Sequence, residues 1–255
     1  MRLNRPVYLN TLRWFLDSPP RLLCAGLMAL LTYLVVGGMA HMEINGVSSE
    51  GMFDTPQALA SAGDKILVLL AWILGVGLIR REISSGAIQL VLLRPLSRPS
   101  YVLSKWAALA TLNALFLVFC WAVLILRGGI LQADKAGDLG LLFGAQVLQI
   151  FALAAVLCCL SCVPSKLGEM GTLVLAGIGI LILSHYAESL DQAALRAAVD
   201  FLWKVLFPRV GAFMDTDGSG AAMSLAFNAG VTVAALGGAM ALLQAREFSY
   251  AETGA

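Results

Sequence analysis

Cys159 and Cys162 stand in the run AAVLCCLSCVPS, at the C-x-x-C spacing that in a soluble setting supports dithiol–disulfide exchange or metal binding. All five cysteines (Cys24, Cys120, Cys158, Cys159 and Cys162) fall inside apolar runs, where a thiol also serves as a small packing residue between helices. His41, with Met42, Glu43 and Met52 nearby, offers soft-metal ligands. His41 and His185 are equally ordinary as isolated rings at a lipid–water boundary. DTDGSG places Asp215, Asp217, Ser219 and Gly220 where a calcium loop begins, but its bidentate glutamate is replaced by Ala226, which offers no oxygen. That run reads as a turn. No H-E-x-x-H, serine-nucleophile motif or intramembrane charged pair occurs, so nothing marks the chain as an enzyme.

The elements that position these residues follow from composition. The chain has 255 residues, 59% of them hydrophobic and 13% charged, with a mean hydropathy of +0.84. Soluble domains carry about 25% charged residues, so lipid must solvate much of this surface. A net charge of +1 without basic, aromatic-interleaved runs gives no sign of nucleic acid as a partner. The fold class expected is all-α: a single polytopic domain with six membrane spans. They fall at about 22–40, 60–79, 106–126, 141–163, 170–186 and 221–243, each near the ~20 residues that cross a bilayer. The second must extend back past Asp64 and Lys65, which snorkel or face protein. The N-terminus is polar and the first apolar run is longer than a signal-peptide core, so it is expected to remain as the first span.

With the N-terminus in the cytoplasm, the inner side holds Arg2, Arg5, Arg13, Arg21, Arg80, Arg81, Arg94, Arg98, Lys105, Lys166 and Arg246. The outer side keeps only Lys65, Arg127, Lys135, Arg196, Lys204 and Arg209. This asymmetry favours both termini inside. Two further helices are amphipathic. In 6–17, Tyr8, Leu12, Phe15 and Leu16 oppose Asn10, Arg13 and Asp17, as in a helix lying on the inner leaflet. In 189–205, Leu190, Ala194, Ala197, Phe201 and Val205 oppose the charges; that helix floats at the outer leaflet or caps the spans. Asn113, Gln146, Gln149, Asn228 and Thr232 are polar residues within spans. They pack helices by hydrogen bonding or line a substrate path. Gly230, Ala234 and Gly238 give the last span a smooth face for close helix contact.

One cytoplasmic segment fits none of these categories. Between the second and third spans, IRREISSGAIQLVLLRPLSRPSYVLSKW is too polar for lipid and too apolar for a plain loop. Arg80, Arg81 and Glu82 mark the membrane exit, Ser84-Ser85-Gly86 can cap or hinge a helix, and Pro95 and Pro99 punctuate the return. Ile83–Leu93 makes a helix of about 16 Å, half a span, apolar on most sides. Physically it is either a re-entrant turn or a docking knob for a soluble partner.

The pattern Glu82, Gly86, Ile88, Leu92, Pro95, Ser97, Arg98, Tyr101, Lys105 resembles the signature of type-2 ABC transporter permeases. The likeness is strong over this segment and weaker over the six-span layout. It implies that 83–93 is a coupling helix seated in a cleft on a separate ABC ATPase subunit, with Glu82, Gly86, Ile88, Leu90, Val91, Leu92, Pro95 and Arg98 as the coupling residues. Ser97, Arg98 and Lys105 would fix the turn and anchor the third span at the inner headgroups. Pro164–Glu169 would supply a smaller contact. No G-x-x-x-x-G-K-[ST] occurs, so ATP and Mg belong to that partner and the chain has no cofactor of its own. The resemblance further implies an exporter in a bacterial inner membrane, built from two permease copies or two related permeases. The rival reading is a non-transporting scaffold that recruits partners through its amphipathic helices.

Overall fold

The computed structural model describes residues 3–20, 22–23, 26–27, 43–44, 47–48, 67–88, 97–126, 136–163, 168–189, 193–206 and 219–245. Nearly all of them are helical: α1 Arg5–Leu16, a stretch at 67–75, α2 Arg80–Ser84, α3 Arg98–Leu126, α4 Ala136–Cys162, α5 Gly168–Ser189, α6 Ala193–Leu206 and α7 Ser219–Ala245. The exception is a small hairpin, β1 Glu43–Ile44 against β2 Val47–Ser48. The dipeptide between those strands, Asn45-Gly46, is a strong two-residue hairpin signal.

Three helices are long and apolar enough to cross a membrane, through Arg98–Ala122, Gly140–Cys162 and Leu225–Ala245, and Val174–Tyr186 is a shorter apolar stretch within α5. Most of the expected first span, and the second before residue 67, lie outside the described residues. The third span differs from expectation at its start. Its helix begins at Arg98, not near 106, and runs for 29 residues, or about 44 Å. Pro99 does not prevent this because it sits in the first turn, where a missing N–H breaks no hydrogen bond. Ser97 supplies a cap, its Oγ accepting the Ser100 N–H at 3.4 Å.

Side-chain contacts fix how the long helices run. Trp106 Nε1 donates to the Phe151 carbonyl at 3.1 Å, and Trp121 Nε1 donates to Gln146 Oε1 at 2.8 Å. As the number rises on α3 it falls on α4, so the pair is antiparallel. Ala152 and Val156 of α4 pack with Val231 of α7, and a Cβ on Gly238 would lie 3.2 Å from Cys159 Sγ. Here both numbers rise together, so α4 and α7 are parallel. The core lies where these three helices meet α1 and the 67–79 segment, around Phe15, Leu74, Leu78, Tyr101, Leu109, Leu153 and Leu157.

Side-chain contacts bear on three of these expectations. Helix α1 is fastened to the bundle. It packs on α3 through the buried Thr11 and Phe15 while Leu16 is exposed, because Asn4 and Tyr8 bond to α3: the Asn4 N–H reaches Ser104 Oγ at 2.8 Å and the Tyr8 hydroxyl reaches Thr111 Oγ1 at 3.1 Å. Helix α6 touches α4 and α7 through individual side chains, with Phe201 edge-on to Phe227 at 6.0 Å and Val205 on the Ala152–Val156–Val231 cluster. Its buried residue is Val199, whereas Ala194 and Ala197 are exposed. The small-residue face of α7 allows a close approach at Gly238, which meets Cys159, whereas among the described residues nothing lies within 4 Å of a Cβ on Gly230.

Candidate functional site

The segment that follows residues 67–75 changes direction twice, each time at a glycine. Gly77 has φ +80° and Gly86 has φ +71°, a region that costs a Cβ-bearing residue energy and glycine almost none. Between them lies the five-residue α2, and the helix resumes at Ala87 and Ile88. Leu78, Ile79 and Ile88 are fully buried, and Ile83 packs against the same core. The bend is therefore nailed to the bundle by its apolar residues.

Its polar anchor is Glu82. Tyr101 and Lys105 are four residues apart on α3, so both project from one face. Both reach Glu82: the Tyr101 hydroxyl donates to Oε2, and the Lys105 ammonium pairs with Oε1. Lys105 is 4% exposed. An ammonium this deep needs a counter-charge, and Glu82 supplies it. Lys105 thus does not reach outward to headgroups as the sequence suggested; a carboxylate 23 residues away in sequence holds it inside.

Arg98 has partners far from the turn. Its Nη1 donates to the carbonyls of Leu243 and Gln244, each at 3.0 Å, at the C-terminus of α7. The last carbonyls of a helix lack intrahelical partners, and a cation there also meets the negative end of the helix dipole. Arg98 ties the start of α3 to the end of α7. Arg98→Gln is expected to destabilise the protein by about 1–2 kcal/mol, read as a lower melting temperature in detergent. Arg98→Lys should recover part of the loss.

The other expected site residues fall into three groups. Leu90, Val91, Leu92 and Pro95 lie outside the described residues, as does most of Pro164–Glu169. Ile88 is inside the core, so its influence on coupling passes through packing. The intraspan polar residues are buried between helices, apart from the half-buried Thr232. Gln146 serves Trp121, Thr232 Oγ1 donates to the Asn228 carbonyl at 2.8 Å, and Asn113 Nδ2 donates to the Leu109 carbonyl at 3.0 Å. Asn228 stands apart: it is 1% exposed and neither side-chain amide atom has a partner among the described residues. Asn228→Leu therefore measures its role. Replacing an unsatisfied buried amide by an apolar group of similar size is expected to be neutral or stabilising by up to about 1 kcal/mol. A helix-packing role predicts that outcome with transport intact. Transport lost from a stable Asn228→Leu protein would mark the amide as part of a substrate path.

Apolar helices long enough to cross a bilayer, with an amphipathic helix and a short polar bend locked to one end, define a multi-pass membrane protein. The chain belongs to the ABC-2 transporter family: residues 19–183, well over half of its length, match the family model described as ABC-2 family transporter protein. No curated protein matches it in sequence. Membership makes the chain a membrane transport component of the ABC permease type. The match covers the α2 bend and the Glu82 cluster but stops before α6 and α7.

Proposed function

We propose that the chain is the permease subunit of an ATP-driven exporter, coupled to ATP hydrolysis on a separate ABC ATPase. The observation that carries this reading is the Glu82–Tyr101–Lys105 cluster. A segment that transmits force must be fastened firmly at its base. Glu82 and Ile88 fasten it immediately before residues 89–96, where the apolar docking residues Leu90, Val91 and Leu92 fall. In this reading 83–93 is the coupling helix, the chain spans the inner membrane of a bacterium six times, and both termini are cytoplasmic. ATP and Mg bind the partner. Two permease copies, or this chain and a related permease, face each other, because six helices are too few to enclose a route alone. ATP-driven closure of the ATPases then pushes the coupling segments and switches the spans between inward- and outward-facing arrangements.

Co-purification in mild detergent tests this reading. The protein is expected to bring down a subunit carrying a P-loop, at a one-to-one ratio with the permease. Recovery of other soluble proteins without a P-loop subunit would favour the non-transporting scaffold.

A further inference from the structure

At the end of the bundle that carries Glu82, α1 and the α2 bend enclose a cleft of about 380 Å³, within the usual range for small-ligand sites. Asn10, Arg13 and Trp14 line it from α1, Arg81 and Ser85 from the bend, and Lys105 from α3. Lys105 and Glu82 neutralise one another. Asp17 is the other acid on the wall, so Arg13 and Arg81 leave the cleft with one net positive charge. Among the described residues neither guanidinium has a carboxylate partner. Arg81 is steadied instead over the Trp14 ring, 6.0 Å from its centroid, a contact that leaves its N–H donors available.

From this we infer that the cleft binds a phosphate-bearing anion between the guanidiniums of Arg13 and Arg81. Planar guanidinium forks suit phosphate oxygens, and the Asn10 amide and Ser85 hydroxyl add neutral donors to the wall. The cleft also adjoins a face that lipid can wet, because Leu9 and Leu16 of α1 are 49% and 57% exposed. Two sources share this chemistry: the headgroup of an acidic phospholipid, and free phosphate. From either source the anion ties α1 to the bend, since one arginine stands on each.

The test uses the purified full-length protein and native mass spectrometry, with phosphatidylglycerol, phosphatidylcholine and inorganic phosphate as probes. Two variants accompany it, Arg13→Gln/Arg81→Gln and Asn10→Asp. All three side chains are exposed, so melting temperatures without ligand should match the parent. Phosphatidylglycerol retention is expected to fall about tenfold in the double arginine variant. Asn10→Asp, which adds a repelling charge, should also lower it, and phosphatidylcholine should be unaffected by either. If inorganic phosphate leaves phosphatidylglycerol bound, the ligand is a headgroup. If phosphate displaces the lipid and raises the parent's melting temperature but not the double variant's, the ligand is a soluble anion. Lipid retention and phosphate response unchanged in both variants would overturn the proposal.

Discussion

Glu82→Ala is expected to be among the most damaging single substitutions in the chain. Lys105 is almost fully buried against Glu82, and removing the carboxylate strands its ammonium. Breaking a buried pair from one side costs about 3–5 kcal/mol, and Tyr101 loses its acceptor as well. The measurement is the melting temperature in detergent together with the fraction recovered as a monodisperse species. The informative control is the double variant Glu82→Gln/Lys105→Met, which removes both charges and keeps an acceptor for the Tyr101 hydroxyl. It should recover most of the loss, because a matched neutral pair leaves no charge stranded. A double variant as unstable as Glu82→Ala would mean that the ion pair does not hold the bend.

The second large effect concerns Leu90 and Val91. Leu90→Asp or Val91→Asp is expected to lower recovery of the ATPase by about tenfold or more, as for a charge introduced at a central apolar anchor. Transport should be lost while membrane insertion and melting temperature stay at parental values. Ile88→Asp provides the contrast. Ile88 is 0% exposed, so a carboxylate there disrupts the core and lowers the melting temperature directly. If all three variants lost stability alike, Leu90 and Val91 would be packing residues and the docking role would fail. ATPase recovery and transport unchanged in the Leu90 and Val91 variants would contradict it as directly.

Much of this organisation was legible from the residues. The long apolar runs announce α3, α4 and α7 because lipid tolerates little else, and their structured ends fall within a few residues of the runs except at Arg98. There Pro99 looked like a breaker, and only its position in the first turn made it harmless. Gly86 was readable as a hinge, and its positive φ is the reason. Glu82, Tyr101 and Lys105 could be recognised together as a pattern, but not as a contact. The pairing joins two elements across a loop, and no periodicity reports such a distance. The same holds for Arg98 at the end of α7, 145 residues away in sequence. Faces were less fully legible than elements. Leu16 and Ala194 were expected on apolar faces turned to a leaflet or to the spans; the structure leaves both exposed and buries Thr11 and Val199. Which stripe is covered depends on the neighbouring helix, and a local pattern does not contain that neighbour.

A photo-activated cross-linking side chain at Val91, used in native membranes, tests the central claim most directly. Mass spectrometry of the product should identify peptides from a P-loop ATPase, with the yield rising when nucleotide is present. Adducts confined to lipid, or labelling of residue 91 by an impermeant reagent applied from the opposite side of the membrane, would contradict the account.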